Sequence, residues 1–416
     1  MPHTLLSRFM QEGVMPRAKE IFSRGSLRRM KVTLPEISSV SWTSFMTGMA
    51  PGEHGIYGFT DLKPDSYDIT FPSFPDLPVK TLWERLGEKG KRSVVVNQPA
   101  TYPARPIEGA LVSGFVAIDL RQAVHPKFLY AKLQQLGYEI DIDAQEGGKN
   151  ADSLFKQLDT GLRGRRKAWD YLWNREKWDY FQVVVTGTDR LMHFQMPAAY
   201  DPAHPEFDRF RAYYSAVDSF LGEVFERYVE KTGDEAGEGF WVLSDHGFCA
   251  IEQEFYVNAW LRSEGYLEFL EDPVQSLGAI APESRAFALD PGRIYVHRSD
   301  RYPKGSVAPR DAAAVADEIR GKLLALEHGG APVCQAVHRG EELYAGEHAK
   351  RAPDLVLTAR DGYDSKGWLG PSEPFGRSHF TGMHNWDDAF VWSASELPES
   401  MVITDIAPRI ESRLSK

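Results

Sequence analysis

Only two cysteines, Cys249 and Cys334, occur in 416 residues, too few for the disulfide framework of a small secreted scaffold. A basic surplus is missing too. The 48 Lys and Arg residues stand against 59 Asp and Glu, a formal net charge of -11, which excludes a general attraction to nucleic acid or to an anionic membrane surface. Any phosphate-bearing substrate must be held locally. Apolar runs such as 181–185 and 240–243 are strand-length and far short of a bilayer span. No charged start, apolar core and small-residue cleavage pattern opens the chain, and neither a repeat, a heptad seam nor a long charge block follows. The expectation is a soluble cytoplasmic protein with no nucleic-acid or membrane partner. What is present is 42% hydrophobic content, enough to bury a large core in two domains or in one α/β domain with insertions.

Short β-rich runs alternate with amphipathic stretches. Strands are expected at 93–97, 110–114, 179–186, 239–244 and 389–392, and helices at 81–89, 152–173, 206–231 and 311–326. This alternation predicts an α/β fold with a mostly parallel central sheet sandwiched by helices. Within 206–231, Phe207, Phe210, Val217, Leu221, Val224 and Tyr228 fall on roughly one side, as core packing requires. From residue 256 to 377 the pattern breaks up around Asp272-Pro273, Asp290-Pro291-Gly292 and Pro303-Lys304-Gly305. That stretch is expected to be an inserted lobe overhanging the site, with 1–255 and 378–416 forming the core.

Three separated fragments carry metal-binding residue types. Asp189 and His193 are four apart, which places both on one face of a helix, and a carboxylate with an imidazole suits a first-row divalent cation. Taken alone, such a pair is as readily a solvated surface feature. Asp245-His246-Gly247 ends the apolar run 240–243, where buried charge needs a partner. His384 follows Gly382, which permits close backbone approach, although a lone histidine there is commonly structural. Upstream, Ser38 precedes an expected helix. It can serve as N-cap, or sit where helix N–H groups favour an anion and a metal activates its hydroxyl as a nucleophile. Ser38, Ser39 and Ser41 also read simply as loop and capping residues.

Together, the segment 37–56, ending Thr47-Gly48-Met49-Ala50-Pro51-Gly52-Glu53-His54-Gly55-Ile56, and the later stretches Asn97-Gln98-Pro99-Ala100-Thr101-Tyr102-Pro103, Gly187-Thr188-Asp189 to His193, Ser244-Asp245-His246-Gly247 and Asp405-Ile406-Ala407-Pro408 resemble a known family. It is the type I phosphodiesterase/nucleotide pyrophosphatase family of the alkaline phosphatase superfamily, and the segments come in the expected order along nearly the whole chain. The resemblance implies an alkaline phosphatase-like fold and hydrolysis of small-molecule phosphate esters, with phosphodiester or nucleotide pyrophosphate bonds foremost. It implies two divalent metals, zinc first and manganese second. One would be held by Asp189, His193 and His384, the other by Asp245, His246, Ser38 and an Asp ending the first strand. Ser38 takes the nucleophile position, to form a phospho- or nucleotidyl-serine. Ser41 stands where better-known members have a phosphate-binding Asn, and His54 is expected to be structural.

The departure lies at the amino end. In the family a hydrophobic first strand ends in Asp-Gly, yet no Asp occurs here before Asp61, and residues 4–12 already match the helix that follows that strand. The first strand is therefore expected to be missing from the chain as given, through a start placed too late or a shortened protein, with impaired catalysis. The alternative is a non-catalytic or one-metal member. Lesser alternatives are a phosphomonoesterase, for which Lys366, Arg377 and His379 offer nearby positive charge, or a sulfatase. The Cys/Ser-x-Pro-x-Arg sulfatase pattern is absent at Ser38, where Val40 replaces the Pro, and so is the Asn-Ser motif of phosphoglycerate mutases.

Overall fold

Ser93–Gln98 is buried at every position, as a strand covered on both faces must be. Gly109–Ser113 and Tyr180–Val183 flank it in parallel, and Val124–His125 adds an antiparallel edge. The computed structural model describes residues 1–415. A second four-stranded sheet runs in the order Met401–Val402, Ser26–Lys31, Ala389–Ser393, Trp241–Leu243. Only its first pair is parallel. The expected parallel arrangement therefore holds in the first half-sheet, whereas the second is mixed. Ala389–Ser393 follows Gly382–Asn385 directly, and just as that segment runs antiparallel to Gly247–Tyr256, Ala389–Ser393 runs antiparallel to Trp241–Leu243, the strand just before Gly247–Tyr256.

Helices cover both faces. On one side Ala151–Arg175 and Phe207–Thr232 bring Trp169, Trp173, Phe220 and Val224 against Phe181 and Phe240. On the other, Ser38–Thr47, Leu82–Glu88 and Ile406–Leu414 pack Phe45, Trp83 and Ile406 against Val95, Val184 and Val391. Among the described residues no helix is long and apolar enough to cross a membrane.

The region 256–377 has a hydrophobic cluster of its own. Its antiparallel sheet runs Ala286–Leu289, Arg293–Val296, Leu355–Ala359, Cys334–Arg339, with Ala312–Leu324 packed on it. One long strand, Gly247–Tyr256, joins this cluster to the core. It pairs first with Gly382–Asn385 and further along with Gly362–Lys366 and Phe375–Gly376.

Gly382 sits where that strand pair meets the helix Gly187–Gln195. A Cβ there would fall 2.5 Å from the Met192 carbonyl oxygen and 2.8 Å from the Phe248 ring. Gly382→Ala is therefore expected to force the helix and strand apart and to lower stability by about 1–3 kcal/mol. Urea unfolding of the variant beside the parent measures the loss.

Candidate metal centre

Each fragment singled out in the sequence arrives at one place. Asp189 and His193 lie one turn apart on Gly187–Gln195, the helix that follows Tyr180–Val183. Asp245 and His246 bridge Trp241–Leu243 and Gly247–Tyr256, and His384 stands opposite Phe248 in the adjoining strand pair. Ser38 is the first residue of Ser38–Thr47. The N-cap position belongs to Ile37, which corrects the expectation that Ser38 caps the helix. Freed of that task, its hydroxyl lies 2.9 Å from Asp245 Oδ2 and 3.0 Å from His246 Nε2.

The three imidazoles are held alike. His193 Nδ1 donates to the Gly382 carbonyl (2.9 Å), His384 Nδ1 to the Glu36 carbonyl (3.1 Å) and His246 Nδ1 to the Gly247 carbonyl (3.0 Å). Since a carbonyl can only accept, these bonds assign the proton to Nδ1 and turn each Nε2 inward, the orientation that metal-ligating histidines adopt. His193 and His384 Nε2 are 3.0 Å apart and lie 3.5 Å and 3.3 Å from Asp189 Oδ1. His246 Nε2 is 3.1 Å from Asp245 Oδ2 and 3.7 Å from Asp189 Oδ1.

Burial pushes His193 down to about 3, against the pull of Asp189, and it lowers His384 likewise. At neutral pH both are thus lone-pair donors facing one another. Two such atoms 3.0 Å apart beside a carboxylate form a donor set that a divalent cation would suit. For His246 burial also opposes charge, but Asp245 outweighs it and the net shift is upward. Burial would raise Asp189; His193, His384 and Arg190 overcome it and hold the carboxyl well below its usual range. Asp189, His193 and His384 offer ligand atoms within 4.8 Å of one another, and their nitrogen and carboxylate donors fit zinc or manganese.

Other residues sort themselves around this cluster. Ser41 lies a turn beyond Ser38, fully buried, its hydroxyl without a hydrogen-bond partner among the described residues; Ser39 Oγ is likewise unpaired. His54 is structural. Its Nδ1 accepts the Ile56 N–H and its Nε2 meets Ser44 Oγ at 3.0 Å, while burial depresses its pKa to about 3. The His3 backbone N–H donates to the Asp388 carbonyl. The charges expected near the phosphate are committed elsewhere. Lys366 pairs with buried Asp364 at 2.6 Å, Arg377 donates to the Ile251 carbonyl, and His379 stacks on Phe194.

Two neighbours went unread in the sequence. Glu36 supplies the carbonyl that orients His384, and burial raises its own carboxyl to about 7. Arg190 forks onto Asp141, lies 4.0 Å over the Phe115 ring and approaches Asp189 to 3.7 Å. The adjacency of Arg190 to Asp189 was the one available signal; nothing local marks Glu36.

Comparison with solved structures places this arrangement in a known fold. Phosphonoacetate hydrolase from Sinorhizobium meliloti 1021, bound to phosphonoformate, superposes with a TM-score of 0.60 at 16% identity, covering 98% of this chain and 92% of that one. Wild-type alkaline phosphatase PafA gives 0.58 at 14% identity, covering 100% and 94%. Murine ectonucleotide pyrophosphatase/phosphodiesterase 5 gives 0.52 at 13%, covering 96% and 90%. At these identities the likeness shows the fold, which is alkaline phosphatase-like α/β. No curated protein matches by sequence. The family assignment rests instead on a match to type I phosphodiesterase / nucleotide pyrophosphatase across residues 1–387. The chain therefore belongs to that family, a group of phosphoryl-transfer hydrolases within the alkaline phosphatase superfamily.

Proposed function

We propose that this hydrolase cleaves phosphodiester or pyrophosphate bonds of small-molecule substrates through a covalent Ser38 intermediate, with two divalent metals, zinc foremost and manganese next. The carrying observation is the convergence of three inward Nε2 atoms and the Asp189 and Asp245 carboxylates around a hydroxyl that has no capping duty. Asp189, His193 and His384 are the residues to hold one ion, and Asp245, His246 and Ser38 the other. When bound, the metals supply Lewis-acid stabilisation of developing negative charge and lower the pKa of the Ser38 hydroxyl.

In the first step Ser38 Oγ attacks phosphorus, the bond from phosphorus to the leaving oxygen breaks, and that oxygen departs taking a proton. Water then attacks the phosphoserine, releases the phosphate product and restores the hydroxyl. Asp245 and His246 hold Oγ by its two polar contacts, which fixes the direction of attack. The amino end of Ser38–Thr47 adds the favourable dipole that helix N-termini offer to anions. Ser41, one turn further along with an unpaired hydroxyl, is the proposed hydrogen-bond donor to substrate from the same helix. We also assign 256–377 as the inserted lobe and its edge as the source of leaving-group contacts.

A one-metal, non-catalytic reading is favoured by an asymmetry in the cluster. Among the described residues only Asp189, His193 and His384 bring three ligand atoms together, whereas Asp245 and His246 are joined by a hydroxyl rather than a third strong ligand. Metal stoichiometry separates the two readings: about two ions per chain with turnover supports the hydrolase, one without turnover its alternative.

His384→Ala should weaken metal binding at least ~10-fold, since losing even an orienting partner of a ligand costs that much. Calorimetric titration with zinc measures it, and an unchanged affinity would remove His384 from the site. Ser38→Ala should retain the fold and bound metal while cutting diesterase turnover by ~10³-fold or more. A chromogenic diester assay, with mass mapping of the trapped phosphopeptide, tests the assignment; label on a peptide lacking Ser38 would refute it.

A further inference from the structure

Arg190 has a nitrogen to spare. Its Nε and Nη2 both donate to a single oxygen of Asp141, Oδ2, at 2.9 and 2.5 Å, and its guanidinium lies 4.0 Å over the Phe115 ring. Phe115 is braced in turn by Phe59, edge-on at 5.2 Å. The third nitrogen, Nη1, makes no hydrogen bond among the described residues; Asp189 Oδ2, with which it pairs by charge, is 3.7 Å away and beyond hydrogen-bond reach. A largely buried arginine is thus clamped at one edge and on one face, while two N–H donors at its other end stay unspent beside the candidate metal centre.

Balancing Asp189 does not account for it. Asp141 already offsets the guanidinium, and Asp189 turns its other oxygen, Oδ1, toward His193 and His384 at 3.5 and 3.3 Å. Once divalent cations are held there, two carboxylates no longer cancel the charge, and a guanidinium alongside adds repulsion. An anion shared between them relieves it. Lys366 is spent on Asp364, and Arg377 donates to the Ile251 carbonyl. Position indicates which anion is meant. Ser38 lies with Asp245 and His246, whereas Arg190 follows Asp189 on Gly187–Gln195, so the two belong to different metal sites. In an in-line displacement the leaving oxygen moves away from the attacking one, here toward Asp189, His193 and His384. The departing group therefore passes Arg190.

We propose that Arg190 is a specificity-determining residue that donates through Nη1 to an anionic part of the leaving group, so that the site prefers a phosphoanhydride, whose leaving group carries its own phosphate, to a simple phosphodiester. The assignment rests on the hydrolase reading of Ser38 and its metals. Arginine suits the task because its planar fork can hold Asp141 by one edge and present a further nitrogen to phosphate, which a lysine ammonium cannot do at once.

The test sets a dinucleoside pyrophosphate against methyl p-nitrophenyl phosphate in three proteins: the parent, Arg190→Lys, and the double variant Asp141→Asn/Arg190→Met, which removes the pair without stranding a buried charge. In both variants kcat/KM for the pyrophosphate should fall at least tenfold further than for the diester, while zinc calorimetry finds the parent's stoichiometry. Equal falls on the two substrates, or a loss of zinc that matches the loss of turnover, overturn the inference and make Arg190 a positioning residue of Asp189. A parent that turns over neither substrate refutes the hydrolase reading by itself, and binding then decides the role of Arg190. Calorimetry of the zinc-loaded proteins should show inorganic pyrophosphate bound at least tenfold more weakly by either variant; equal affinities, or no binding by the parent, overturn the inference. Should the double variant fail to fold, Arg190→Lys carries the comparison.

Discussion

Everything at the centre turns on where three imidazole protons are kept. Because His193, His246 and His384 each spend Nδ1–H on a main-chain carbonyl, all three Nε2 atoms turn inward; those of His193 and His384, lowered by burial, converge as bases, while Asp245 favours charge on His246. Two neutral bases beside buried carboxylates are costly in low dielectric, and a bound cation would offset that cost. The carbonyls that do the holding belong to Gly382, Gly247 and Glu36, so the backbone course of three distant segments is coupled to the chemistry. Gly382 is small for this reason. Its carbonyl must reach His193 while its Cα lies almost against the Met192 turn.

Residue types were legible before any coordinates, and residue environments were not. Asp189 and His193 could be placed on one helical face by spacing alone, and Asp245-His246 at a strand end by the apolar run before it; the structure brings both pairs together. The long helices also read well, since Phe207–Thr232 and Ala151–Arg175 carry a clear apolar stripe over many turns. Ser26–Lys31 did not. Its sequence, Ser-Leu-Arg-Arg-Met-Lys, breaks strand alternation at Arg28-Arg29, and it becomes a strand through pairing with Ala389–Ser393, more than three hundred residues away in sequence. Tertiary pairing of that range leaves no local trace.

The same limit explains the polar residues. Lys366 seemed available to a phosphate until Asp364, its neighbour by strand alternation, took its charge. Glu36 gave no sign of itself because its service is rendered through a backbone carbonyl, which every residue possesses. Ser38 looked like a cap, and lost that role because the helix begins at Ser38 itself, with Ile37 before it. In each case what was missing was the identity of a partner distant in sequence.

The candidate metal centre also draws on both four-stranded sheets. Asp189 and His193 follow a strand of the first, while Asp245, His246 and His384 adjoin the second. Ions held by ligands from both sheets would act as a clasp. Ligand binding stabilises the folded form by mass action, so the concentration of free divalent cation would set how firmly the halves stay closed, and a chelator would act on this chain as a denaturant as well as an inhibitor.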